Sequence, residues 1–208
     1  MLLIKEIFYS LQGEGGKVGK PTIFIRFAGC NLWSGLEKDK QKSVCYFCDT
    51  DFNNGIKYTI EKLVEVIIKL IPVNIINPYI VFTGGEPTLQ LTNERLKTIK
   101  KLLESFDYIP VFGLETNGEK DIEYEDNIWI TVSPKTKNFK IKNYNELKLL
   151  YPLNSVKPYE ILTEVDNLYL QPIDNLNYKD NLKATIEYCL LNPKWSLSLQ
   201  QHKIIGVD

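Results

Sequence analysis

Hydrophobic positions along the chain follow two alternating periods. Short apolar or β-branched runs read as strands: TIFIRFA at 22–28, YIVFT at 79–83, VFGLE at 111–115, IWITV at 128–132, NSVK at 154–157, LYLQ at 168–171 and WSLSLQ at 195–200. Between them the period changes to that of a helix. Ile60, Leu63, Val64, Ile67, Ile68 and Ile71 share one helical face, after a capping Thr59 and before Pro72. Leu96, Ile99, Leu102, Leu103 and Phe106 predict a second helix after Thr92, residues 180–191 a third and 145–151 a fourth. Strands alternating with helices imply a parallel sheet with helices packed outside it. A complete eight-unit barrel takes ~250 residues, so the expected fold is α/β, a partial open barrel of about six parallel strands. A chain of 208 residues with no internal repeat and no Pro/Gly/Ser linker reads as one domain, 1–208.

The polar, glycine-bearing segments follow the strands: GCN after the first, GGEP after the second, TNG after the third, SPK after the fourth and QPID after the sixth. The carboxyl ends of parallel strands converge on one face, where ligands bind. These segments are therefore expected to share a mouth.

Charge and composition narrow the partners. Twenty-five Lys and Arg against 26 Asp and Glu leave no polybasic stripe for a phosphate backbone, so a nucleic-acid partner is not expected. Lys5 and Glu6 interrupt the apolar start of the chain, and no apolar run approaches ~18 residues, so neither a secretory leader nor a membrane span is expected. The expected location is cytoplasmic. In a reducing compartment, clustered cysteines signal metal or redox chemistry rather than a disulfide frame.

Three of the four cysteines, Cys30, Cys45 and Cys48, fall within CNLWSGLEKDKQKSVCYFC, and residues 31–44 between the first two read as a solvated insertion. Cys189 differs: with Leu182, Ile186 and Leu190 it falls at helical spacing and reads as part of a buried stripe. A Cys45-x2-Cys48 pair suits a zinc knuckle, but structural zinc is closed by four ligands, and the remaining candidates are Cys189 and His202, the single histidine. Three thiolates without a fourth instead suit a four-iron cluster with one iron open to a ligand. Gly84-Gly85-Glu86-Pro87 follows a strand directly; it reads either as a plain turn or as a backbone kept bare for close approach of a ligand.

Cys30, Cys45 and Cys48 together with TGGEP resemble the radical S-adenosylmethionine (SAM) superfamily, although fourteen residues stand where its usual C-x3-C-x2-C signature has three. FYSLQGEGGKVGKPTIFIRFAGCN, CDT, TGGEP, ETNG, SPK, QPID and HKIIGVD look, from end to end of the chain, like the 7-carboxy-7-deazaguanine synthases of queuosine and deazapurine biosynthesis. The resemblance implies a pared-down radical SAM barrel, commonly a homodimer. It also implies conversion of 6-carboxy-5,6,7,8-tetrahydropterin to 7-carboxy-7-deazaguanine with loss of ammonia, started by a radical from reductive cleavage of SAM.

What the resemblance implies for residues is specific. Cys30, Cys45 and Cys48 would hold a [4Fe-4S] cluster, and Thr50 a Mg²⁺ ion. Gly85, Ser133, Pro134, Lys135, Gln171, Pro172, Ile173 and Asp174 would bind SAM. Leu11, Gln12, Gly13, Glu14, Arg26, Thr83, His202 and Asp208 would bind the pterin, Arg26 through its carboxylate and Gln12 and Glu14 through its amino-pyrimidinone edge. From residue chemistry alone, Arg26 also suits an interstrand ion pair, His202 a structural hydrogen bond, and Asp49 or Asp51 the magnesium. An electron donor resembling flavodoxin or ferredoxin is implied, with the 31–44 insertion a candidate docking surface. Two other readings stand beside this one: a radical SAM activase of a glycyl-radical enzyme, and a zinc-binding module without catalysis.

Overall fold

The computed structural model describes residues 1–153 and 155–207. Nine strands form one sheet: β1 (Leu2–Leu11), β2 (Pro21–Phe27), β3 (Ile56–Tyr58), β4 (Tyr79–Gly84), β5 (Val111–Thr116), β6 (Ile128–Val132), β7 (Glu146–Tyr151), β8 (Asn167–Pro172) and β9 (Ser196–Leu197). Their spatial order is β3-β1-β2-β4-β5-β6-β7-β8-β9. From β2 to β9 every neighbouring pair is parallel, while β1 lies antiparallel to both β2 and β3. The sheet stays open between β3 and β9, a partial barrel as the alternation of elements predicts.

The helices are α1 (Glu37–Lys40), α2 (Ile60–Leu70), α3 (Asn93–Glu104), α4 (Tyr178–Leu191) and α5 (Gln201–Ile205). α2 begins where the Thr59 side chain accepts from the Lys62 amide, and its Leu63, Val64 and Ile67 are buried. α3 begins likewise at Thr92 and buries Leu96, Ile99 and Leu103. Both apolar faces join Ile23, Ile25 and Phe27 of β2, Ile80 and Phe82 of β4, and Phe112 and Leu114 of β5 in one core. Each such fully buried side chain contributes roughly 1.5–3 kcal/mol, so the hydrophobic faces suffice to dock the two helices.

The other side of the same strands faces inward and changes character along its length. At the amino ends it is aromatic, with Phe8, Phe24, Tyr79 and Val81 packed together. Toward the carboxyl ends it is polar: Arg26, Thr83, Glu115 and Lys148 line a pocket. No described helix is long and apolar enough to cross a membrane.

Several segments depart from the sequence expectation. Residues 145–151 form strand β7 rather than a helix, because Leu147 and Leu149 face a second core with Leu168, Leu170 and Trp195. Glu146 and Lys148 alternate to the inner side, where both are buried. Their charges suggest the wet face of a helix, but each has a partner inside the barrel. Ser155–Lys157 make no strand and lead instead into a 3-10 turn, Pro158–Glu160; Asn154 lies outside the described residues. Only Ser196–Leu197 of the run 195–200 pair as a strand.

Phe106 falls beyond α3 and is exposed. On α4 the buried positions are Asn181 and Thr185, while Ile186 and Leu190 are exposed and Cys189 is half-buried. Asn181 donates to the Ile173 carbonyl at 2.8 Å, and satisfying that backbone group turns the polar side of the helix inward. β1 escapes a period-2 reading because a register shift between Ile4 and Glu6 interrupts its alternation.

Candidate active site

Each strand end delivers its polar segment to a pocket of about 530 Å³. Leu11, Gln12, Gly13, Glu14, Arg26, Cys30, Cys45, Cys48, Thr50, Thr83 and Gly85 line it, as do Ser133, Lys135, Gln171, Pro172, Ile173, Asp174 and His202. Of the residues singled out in the sequence, Pro134 is buried but does not line the pocket. Asp208 lies outside the described residues.

The double glycine is kept bare by sterics. A Cβ on Gly85 would stand 2.0 Å from the Gly29 carbonyl oxygen, and one on Gly84 would stand 2.4 Å from the Phe27 amide nitrogen. Gly85 and Glu86 amides donate to the carbonyls of Phe27 and Gly29, fastening this loop to the chain that leads into Cys30. Gly85→Ala is therefore expected to displace the Cys30 segment, because the obstacle is backbone. Displacement on the scale of 1 Å lowers turnover by about 100-fold, measurable by steady-state product formation alongside the iron content of reconstituted protein.

Glu86, fully buried, is an anchor. It accepts from the Thr88 amide at 3.0 Å, the Thr88 hydroxyl at 2.6 Å, the Thr116 hydroxyl at 2.7 Å and the Asn117 amide at 2.8 Å. Asn117 in turn donates to Asn31 at 2.8 Å. GGEP and ETNG thus brace the start of the cysteine loop.

Burial raises the Cys30 thiol pKa, with Glu86 and Cys48 adding to the effect, and pushes Cys45 up to about 12. Cys30, Cys45 and Cys48 are free thiols on one pocket wall, whereas Cys189 lies outside the pocket. Among the described residues no three Cys, His, Asp or Glu side chains are grouped to hold a metal ion. The donor set fits an iron–sulfur group by its chemistry: three thiols, two of them raised by burial, that such a group would deprotonate on binding. Buried Lys135 sits beside them, its Nζ donating to the Ser133 carbonyl at 2.8 Å and hydroxyl at 2.7 Å.

The same pocket is also lined by a polar chain. Lys148 Nζ donates to Glu14 Oε2, the Glu14 amide to Gln12 Oε1 at 3.2 Å, and Gln12 Nε2 to Glu115 Oε1 at 3.0 Å. Thr83 donates to Glu115 Oε2 at 2.7 Å. Arg26 Nε donates to Glu6 on β1 at 2.5 Å, so the interstrand ion pair exists and the guanidinium also lines the pocket. A Cβ on Gly13 would come 2.2 Å from His202 Nδ1, which places α5 against the LQGEG loop. Lys203 fastens α5 across the mouth, 2.6 Å from both Asp49 and Asp174.

Glu115 and Lys148 are pocket residues that the sequence reading missed. Glu115 adjoins the quoted TNG, and its place on the inner side of β5 was available from alternation. Lys148 was hidden by the helical reading of its strand.

An open, mostly parallel sheet with three thiols and paired glycines at its mouth has the radical SAM fold. The crystal structure of QueE from Escherichia coli overlays on it with a TM-score of 0.65 at 26% identity, over 97% of this chain and 94% of that one. The 7-carboxy-7-deazaguanine synthase of Burkholderia multivorans is 38% identical, and that of Bradyrhizobium diazoefficiens 40% identical, each over 98% of both chains. The enzyme of the same name from Bacteroides thetaiotaomicron is 36% identical over 100% of this chain and 99% of its own. No family profile matches the sequence. The chain belongs to the 7-carboxy-7-deazaguanine synthase family.

Proposed function

We propose that this carbon–nitrogen lyase converts 6-carboxy-5,6,7,8-tetrahydropterin to 7-carboxy-7-deazaguanine with loss of ammonia, in queuosine or deazapurine biosynthesis. The observation that carries the reading is one pocket lined both by three free thiols and by the Glu14–Gln12–Glu115–Thr83 chain. A cluster and SAM, when bound, supply one-electron chemistry that starts hydrogen abstraction from the substrate. The chain's own residues bind and orient. Arg26 supplies the cation for the pterin carboxylate, while Gln12 and Glu14 meet the amino-pyrimidinone edge. Ser133, Lys135, Gln171, Pro172, Ile173 and Asp174 with Gly85 offer the short polar groups and bare backbone for SAM.

Mg²⁺ at Thr50 is part of the proposal. Both neighbouring carboxylates already have cationic partners, Asp49 with Lys203 and Asp51 with Lys5, each at 2.6 Å. That pairing leaves the Thr50 hydroxyl to supplement waters and substrate oxygens. A homodimer and a small one-electron donor of flavodoxin or ferredoxin type complete the reading. Exposed Leu190 and Leu191 on α4 support the homodimer.

Anaerobically reconstituted protein given SAM, dithionite, Mg²⁺ and the carboxypterin is expected to release the deazapurine, identified by mass, with reduced yield when Mg²⁺ is chelated. A colourless zinc protein, or a cluster protein inert toward the pterin but able to activate a glycyl-radical partner, would displace the proposal.

A further inference from the structure

We infer that Lys148 is a positioning residue for the substrate: it holds Glu14 ionised, so that the carboxylate stays an acceptor for the paired N–H donors of a 2-amino-4-oxopyrimidine edge. The inference rests on the reading above, in which Glu14 meets that edge. Lys148 reaches Glu14 from the inner side of β7, and the two side chains are only 8% and 16% exposed. A carboxylate so enclosed either has a cationic partner or takes up a proton. Once protonated it carries an O–H donor, which opposes the N–H donors of the substrate.

The charges around Glu14 identify Lys148 as the deciding group. Glu14 is faced by Lys148 and Glu146 of β7, Glu115 of β5, Lys135 beyond β6, His202 of α5 and Lys17, whose ammonium lies 3.6 Å over the Trp129 ring. Glu115 and Glu146 discourage a further anion, and Lys135 spends two of its donors on Ser133. Burial alone would raise the Glu14 pKa. Lys148 reverses this and, with Gln200 and His202, holds it at about 2. Burial opposes the charge on Lys148 as well, but Glu14 and Glu115 keep its pKa above the ordinary lysine value. Removing the ammonium leaves desolvation opposed only by Gln200 and His202, the smaller contributions, so the Glu14 pKa then rises.

The test is anaerobic binding of 6-carboxypterin, the stable aromatic analogue of the substrate, to reconstituted protein at several pH values between 5.5 and 7.5. Parent affinity is expected to change by less than about twofold. Lys148→Met is expected to bind nearly as well at the upper end and to lose about tenfold for each unit of pH below the new Glu14 pKa.

In a Glu14→Gln background the same lysine change is expected to alter affinity by less than about twofold at any pH. In that double variant Glu14 no longer needs a cation and Glu146 keeps the Gly16 amide and Trp129 Nε1 as donors, and a thermal melt checks that it folds. A uniform, pH-independent loss in Lys148→Met would overturn the inference and make the lysine a structural support. A pH dependence that persists in the double variant would also overturn it, by placing the titration on Glu115, Glu146 or His202. Should Glu14→Gln alone leave affinity unchanged, the reading of Glu14 at the substrate edge fails, and the role of Lys148 with it.

Discussion

Cys45→Ala is expected to abolish turnover and the visible absorption of reconstituted protein, while Cys189→Ala leaves both near the parent level. Cys45 is buried on the pocket wall with Cys30 and Cys48, and Cys189 sits half-buried on α4 outside the pocket. Removing one of three thiolates leaves a cluster two protein ligands, with a second iron uncovered. Enzymes accelerate reactions by ~10⁶-fold or more, so with the radical source gone product formation should fall more than about 10³-fold. Iron and sulfide content per chain, measured beside product mass, separates loss of the cluster from loss of the fold. Equal damage from Cys189→Ala would place the metal elsewhere.

Glu86→Gln, behind the pocket, is expected to be strongly destabilising although it is isosteric. The carboxylate accepts four hydrogen bonds while fully buried, and the amide that replaces it presents donors to the Asn117 amide. Hydrogen bonds to a charged group contribute roughly 1.5–3 kcal/mol each, and an unmade buried one costs about 1–3 kcal/mol. A loss of about 3 kcal/mol is therefore expected. For a chain of this size that lowers the melting temperature by roughly 6–12 °C, measurable by thermal denaturation. A shift below about 2 °C would mean that the GGEP loop is held by its backbone bonds alone.

Much of the fold was legible because buried parallel strands and amphipathic helices carry strong periods. β2, β4, β5, β6 and β8 and the helices α2 and α3 follow directly from apolar spacing and from Thr59, Thr92 and Pro72. β7 was not legible, since Glu146 and Lys148 look like solvent-facing residues until the LQGEG loop is folded against them. On α4 the demand of one buried carbonyl outweighs the apolar spacing, so Ile186 and Leu190, expected in the buried stripe, are exposed. Within the pocket, glycine loops and cysteines were visible as motifs. Glu115 opens the ETNG motif without a role there and Lys148 belongs to no motif, and only the meeting of β1, β5 and β7 gives them one.

Phe8 and Phe24 stack with ring centroids 5.1 Å apart, and with Tyr79 and Val81 they plug the far end of the barrel. The pocket thereby has an apolar floor. Under the proposed function, charged reactant and sulfonium cofactor would be turned away from that end and drawn in past the cysteine loop and α5.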